Sequence, residues 1–329
     1  MSAVFRILLT SAGLLAAFVS LTRSVAADES RIMAVTVDDL PTVALASNDA
    51  ASRERVTNGL IRAFGQYDMP VIGFVNEGKF TENGVPDPVQ VELLRHWMAN
   101  GLYLGNHTAN HPDLHRTTLE DYQADILAGE QATRKLLAEY DLAPVWFRHP
   151  YLRTGLSLET RDALVNWLSD RGYRVAPVTI DNSEWIFARA YTLAINDGDR
   201  TLADRIGREY VDYMIDMVAY YEGQAEILVG RPISQVLLIH ANELNADWFG
   251  ALAGRLVERG YQFVRLEEAL EDPVYAMPDE YTGPGGITWL HRWAITQGVD
   301  KALFQGEPRT PNYILRMTGL PEHSYEADE

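Results

Sequence analysis

The chain has 329 residues, no cysteine and a formal charge of −18 at pH 7. That charge argues against a DNA or RNA backbone as partner, since such binding needs a basic surface. Without thiols there are no disulfides, no lipoprotein attachment and no thiolate metal ligands, so any metal must sit on nitrogen and oxygen donors.

The chain opens MSAVFRILLTSAGLLAAFVSLTRSVAADES. Arg6 precedes an apolar run from about Ile7 to Leu21, and Val25-Ala26-Ala27 supplies small residues suited to cleavage. A spanning helix needs about twenty apolar residues, more than this run offers. We read residues 1–27 as a secretory signal with a mature start at Asp28 and a secreted or periplasmic destination. The remainder is long enough to bury one large core, and no internal repeat or low-complexity linker divides it.

Two kinds of segment then alternate. Short β-rich runs fall at 32–37 (IMAVTV), 71–75, 102–105, 145–147, 173–180 (YRVAPVTI), 236–239 and 261–266. Helical patterns lie between them at about 53–67, 88–100, 119–140, 157–170, 200–222 and 247–259. Asp87-Pro88 supplies a cap and a first-turn proline. Thr118 with Asp121 forms a weaker capping box. Strand then helix, repeated six or seven times, predicts a mostly parallel sheet closed or nearly closed into a barrel. The stretch IFARAYTLAINDGDR after Trp185 reads as a loop suited to substrate contact. Residues 200–222 read as a core-packing helix.

In such a barrel, chemistry gathers at the C-terminal ends of the strands. Asp38-Asp39 ends the first run, and His107 and His111 follow the third. Arg148 follows the fourth, Asp181 the fifth, and His240 the sixth. Adjacent carboxylates closing an apolar strand are costly unless they bind something. Their side chains diverge, so one can hold a metal while the other handles protons. Histidines four apart in GNHTANHPDLH can reach one ion. His115 extends the spacing, but Pro112-Asp113 interrupts it. We read His115 as a loop or groove residue.

VTVDD, HTANH, RHPY, DNSEW and VLLIH, in that order, resemble the five motifs of the NodB-homology polysaccharide deacetylases, carbohydrate esterase family 4. The resemblance runs from about Ile32 to Leu270. It implies a distorted (β/α) barrel of seven or eight strands, and removal of N- or O-acetyl groups from glycans. Position by position, Asp39, His107 and His111 resemble the metal ligands, and Asp38 the catalytic base. Arg148 resembles the arginine that orients that base. Tyr151 matches the position whose backbone N–H helps hold the oxyanion. Asp181 resembles the acidic partner of the catalytic histidine, Trp185 an aromatic wall of the substrate pocket, and His240 the general acid.

The expected organisation is therefore a signal at 1–27, a NodB-like deacetylase domain at 28–270 and a C-terminal extension at 271–329. That extension is expected to pack on the barrel and to be partly loose over 310–329. Its Trp289 and Trp293, four apart, read first as helix packing residues. The expected reaction is hydrolysis of acetyl groups on N-acetylhexosamine glycans, of the chitooligosaccharide or peptidoglycan type. The expected cofactor is a divalent metal, zinc by default and cobalt or nickel as alternatives. An O-acetyl esterase acting on xylan and a non-sugar C–N hydrolase would use the same parts. A glycan-binding protein without activity would have kept them idle. The expected partner is an acetylated glycan, with no nucleic acid and no membrane insertion after signal removal.

Overall fold

A computed structural model describes residues 31–323, so the expected signal at 1–27 lies outside the described residues. The strands are β1 (Arg31–Leu40), β2 (Ile72–Val75), β3 (Thr81–Glu82), β4 (Val85–Pro86), β5 (Tyr103–Asn106), β6 (Trp146–Phe147), β7 (Arg174–Val175), β8 (Gln235–His240) and β9 (Tyr261–Phe263). The helices are α1 (Ala50–Gly65), α2 (Pro88–Ala99), α3 (Leu119–Ala128), α4 (Gln131–Ala138), α5 (Leu158–Ser169), α6 (Glu184–Asn196), α7 (Arg200–Val229), α8 (Glu243–Glu258), α9 (Leu266–Ala269), α10 (Trp289–Thr296) and α11 (Asn312–Thr318).

The sheet runs β7-β6-β5-β2-β1-β8, with β9 also on β1, and all its pairings are parallel. Ten-residue β1 is its axis. Met33 to Asp38 pair with Gln235 to His240 of β8, while the start of β1 takes β9. Each β-rich run of the sequence becomes a strand, though 173–180 divides. Arg174 and Val175 pair with β6, and Ile180 bridges to Leu237 of β8. Between them lies Pro177, which has no N–H for a ladder. This broken segment joins the two free edges, so the sheet curls into a distorted, nearly closed barrel.

Two helical expectations change. The pattern at 119–140 breaks at Gly129 into α3 and α4. A Cβ on Gly129 would come within 2.4 Å of the Thr108 carbonyl carbon, so the backbones touch there. Residues 184–196, expected as a loop from Ile186, form α6. Its buried face is Ile186, Phe187, Ala190, Tyr191 and Ala194, spaced for a helix packed on α7.

Over its described part the C-terminal segment packs against the core. In α11, Ile314 and Leu315 are buried against the main core. In α10, Trp293 is 1% exposed and meets Tyr275 edge to face at 5.6 Å. The Trp289 amide donates to the Val178 carbonyl at 2.8 Å, beside the broken strand. Truncating a buried Trp leaves a large cavity. Trp293→Ala should therefore lower the unfolding free energy by about 3–5 kcal/mol, read by urea denaturation. A change under about 1 kcal/mol would mean that this segment is not part of the cooperative core.

Candidate active site

The strand order places five strand ends on one rim. Asp38 pairs with His240 at the ends of β1 and β8. His107 follows β5, Arg148 follows β6, and Asp181 follows Ile180. Around them lies a pocket of about 820 Å³, whose wall includes Asp38, Asp39, His107, His111, Trp185 and His240.

Arg148 is fully buried. One guanidinium nitrogen, Nη2, donates to Thr36 Oγ1 at 3.0 Å, and the group lies over the Phe74 ring at 4.7 Å. Its Nη1 is 3.7 Å from Asp38 Oδ2. Asp38 is 3% exposed, and its Oδ1 has no hydrogen-bond partner among the described residues. Burial pushes its carboxyl above the ordinary range, against the pull of Arg148 and His240. The result is a buried carboxylate with one oxygen facing a cation and the other unsatisfied.

Asp39 adopts a left-handed backbone, φ 70°, that turns it away from its neighbour. Its carboxylate meets Lys79 Nζ at 2.9 Å. Burial would raise this carboxyl, but Lys79 and the nearby histidines outweigh it and hold it far below the usual range. Asp39, His107 and His111 present ligand-type atoms within 4.8 Å of one another. His115 is not in that group. It accepts instead from the Gly155 amide at 3.3 Å.

The loop carrying the histidines is held from beneath. Asp125 accepts from the amides of Ala109 and Asn110, each at 2.8 Å, and Asn106 Oδ1 accepts from Thr108 N at 2.7 Å. The backbone is left-handed at Thr108 and His111, with φ of 67° and 55°. His107 Nδ1 lies 2.8 Å from the Arg148 carbonyl. An N–H donated there leaves Nε2 free as a ligand. Burial lowers both His107 and His111 to about 4, so both are neutral at pH 7, as metal ligands must be.

The donor set therefore suits a divalent ion: one carboxylate and two neutral imidazoles, with room for water and substrate. Lys79 stands against it on the same carboxylate. Removing that cation should tighten zinc binding. For Lys79→Met we expect a gain of about tenfold or more, from Coulomb repulsion at a few ångströms, measured by calorimetric titration of the metal-stripped protein. Weaker binding would instead make Lys79 a residue that positions Asp39.

His240 corrects one assignment. Its Nδ1 lies 2.8 Å from Glu184 Oε2, so its hydrogen-bonded carboxylate is Glu184 and not Asp181. Asp181 Oδ1 accepts from the Asn182 amide, and burial raises its carboxyl to about 6. Glu184 is fully buried, and its other oxygen accepts from Asn242 and Asn245 side chains. Burial alone would lower His240. The hydrogen bond and charge of Glu184, followed by Asp39 and Asp38, overcome that and raise it to about 9. DNSEW contained this residue, but its first acid drew the assignment. Glu184 is the first residue of α6, just before the stretch expected as a loop.

Trp185 is 46% exposed and lines the pocket. Tyr151, also at the wall, has a left-handed backbone (φ 57°) and a ring edge-on to His111 at 4.4 Å. A Cβ on Gly286 would fall 1.6 Å from the Tyr151 carbonyl oxygen, so only glycine permits this approach of the C-terminal segment. Neither Gly286 nor Lys79 carried a sequence signal.

Residues 26–176 match the family model described as polysaccharide deacetylase. A peptidoglycan-N-acetylglucosamine deacetylase of Bacillus cereus is 29% identical over 96 residues, covering 29% of this chain. The aligned stretch is 32% of that protein, so the chain spans about a third of the curated relative's length. Among solved structures, a peptidoglycan deacetylase from Bacillus subtilis is 21% identical over 74% of this chain and 93% of its own, with TM-score 0.46. A CE4 family pseudoenzyme from Bacillus anthracis is 13% identical over 74% of this chain and 66% of its own, with TM-score 0.49. Over residues 26–176 the chain is related to the polysaccharide deacetylases. Asp38, Asp39, His107, His111, Arg148 and Tyr151 lie inside that match, and Asp181, Glu184, Trp185 and His240 lie beyond it.

Proposed function

We propose that this chain is a metal-dependent deacetylase, exported by its N-terminal segment, that hydrolyses acetamides on N-acetylhexosamine glycans of the chitooligosaccharide or peptidoglycan type. One observation carries the reading. A ligand-type triad, an unsatisfied buried carboxylate and a carboxylate-held histidine meet on one pocket. The relation to polysaccharide deacetylases supports the glycan, and the name of the curated relative supports peptidoglycan within it.

A divalent ion held by Asp39, His107 and His111, with zinc first on donor chemistry, would supply acyl-oxygen polarisation and a more acidic water. The protein's own groups do the rest. Asp38 accepts a proton at its unsatisfied Oδ1 as water attacks the acetyl carbon. Arg148 keeps Asp38 oriented and ionised although it is buried. The Tyr151 amide faces the developing oxyanion, where one such donor is worth about 3 kcal/mol. His240 delivers its proton to the departing sugar nitrogen. An amine leaves poorly, so a positioned acid is needed. Glu184 keeps His240 charged and fixes its ring. Trp185 and the Tyr151 ring wall the sugar.

The metal-loaded protein should release acetate from chitooligosaccharides or peptidoglycan fragments. Release from acetylxylan alone would make it an O-acetyl esterase, and release from none would remove the deacetylase reading. Asp38→Asn should cut kcat by about 10²–10⁴ with metal content unchanged. Activity near the parent level would sink the base assignment.

His240 also sets a pH dependence. Its pKa is raised to about 9, so the protonated acid is present below that and is lost as pH rises through it. The alkaline limb of the kcat profile should follow. Glu184→Gln removes the partner charge and should move that limb to lower pH by about one unit or more. An unmoved limb would assign the proton donor elsewhere.

A further inference from the structure

His115 ends GNHTANHPDLH without joining the ligand group, and its ring is engaged elsewhere. Its Nε2 accepts from the Gly155 amide at 3.3 Å. The ring also bonds the backbone of Pro284. A proline has no N–H, so its backbone can only accept, and His115 must donate there. One ring nitrogen accepts and the other donates, which is the neutral Nδ1–H form. Burial, against the pull of Asp113, lowers the His115 pKa and favours that form at pH 7.

The two partners belong to distant parts of the chain. Gly155 closes the short segment 151–155, where Tyr151, Leu152 and Gly155 have φ of 57°, 53° and 116°. Such a backbone is costly for Tyr and Leu and persists only where neighbours over-determine it. Pro284 belongs to the crossing 279–288, where Gly283, Gly285 and Gly286 surround it. Glycine gives this stretch little conformational preference of its own. Yet it must bring Gly286 onto the Tyr151 carbonyl, at the wall of the pocket.

The crossing is held at both ends. At its base, Asp279 accepts from Arg292 Nε at 2.9 Å, and Arg292 also donates to Thr154 Oγ1 at 2.7 Å. At its tip, the Tyr281 hydroxyl donates to the Gly285 carbonyl at 3.1 Å. His115 supplies a bond from that tip to the Tyr151 segment. Asp113 braces His115, accepting from its amide at 2.9 Å and from the Arg153 side chain.

We propose that His115 is a positioning residue for the oxyanion donor: it clasps the glycine-rich crossing to segment 151–155 and so fixes the direction of the Tyr151 amide. The loop that carries His107 and His111 then also sets that amide, and ligands and donor keep one geometry. This inference rests on the deacetylase reading for the role of the amide, while the clasp itself can be scored without turnover.

His115→Leu removes both bonds and keeps an apolar body. On chitooligosaccharides the metal-loaded variant should lose about tenfold to a hundredfold in kcat, with KM within about threefold of the parent, because a misplaced donor is felt mainly in the transition state. His115→Gln, whose amide can accept at one atom and donate at another, should recover most of that loss. Both variants should hold as much zinc as the parent. Amide hydrogen exchange over 151–156 and 283–287 should quicken in His115→Leu by about threefold to tenfold, the worth of one hydrogen bond, and return toward the parent in His115→Gln. Loss of zinc from His115→Leu would make His115 a ligand and overturn the proposal. An unchanged kcat would do the same, as would a Gln variant no better than the Leu one. If the parent itself releases no acetate, the deacetylase reading fails, and the exchange rates alone decide whether the clasp exists.

Discussion

The buried guanidinium of Arg148 ties the rim together. Its amide donates to the Asn106 carbonyl, its own carbonyl faces His107 Nδ1, and its side chain reaches Thr36 and Asp38. One residue thus connects the ends of β1, β5 and β6 and touches both Asp38 and His107. A fully buried cation is expensive unless an anion answers it. Asp38 answers, at 3.7 Å, a separation that balances charge without consuming the carboxylate in a close hydrogen bond. Two nitrogens of Arg148 and one oxygen of Asp38 are left unsatisfied among the described residues. The pair is held by charge and packing, and Asp38, which lines the pocket, keeps one oxygen unpaired.

Much of this was legible in the sequence, for a physical reason. Strands buried on both faces must be continuous apolar runs, so IMAVTV and VLLIH announced β1 and β8. A polar residue ending such a run can only lie at the rim, which groups Asp38, His107, Arg148 and His240 on sequence grounds alone. What escaped was set by tertiary contact. Gly129 looks like an ordinary residue within a helical pattern until the Thr108 backbone is found against it. The 173–180 run looks like one strand, but its two ends pair on opposite sides of the barrel. IFARAYTLAIN read as loop within a connection longer than usual, yet its buried face is helical. Glu184 stands two residues before that stretch and opens α6, so its contact with His240 depends on where that helix starts.

The C-terminal segment shows how far a site can extend beyond the motifs that reveal it. Gly286 lies on the Tyr151 carbonyl, and the Trp289 amide bonds Val178 next to the broken strand. Both contacts fall where the barrel is irregular. A left-handed Tyr151 and a proline-interrupted strand have few regular hydrogen bonds of their own, so a packed neighbour must fix them. Trp293 and Ile314, buried in the main core, anchor that neighbour. The segment is therefore a structural part of the pocket wall.

Asp38 and Asp39 are adjacent in sequence and chemically opposite in place. Burial raises one, while Lys79 and the histidines lower the other. The separation begins in the backbone, where the left-handed turn at Asp39 sends the two carboxylates to different neighbours. Titratable groups driven apart by their surroundings can take different roles at one pH. A permanently ionised Asp39 suits an electrostatic task such as holding a cation. An Asp38 whose charged and neutral forms lie closer in energy suits taking up a proton and giving it back. Exchanging the two residues' surroundings would exchange the tasks, because the side chains themselves are identical.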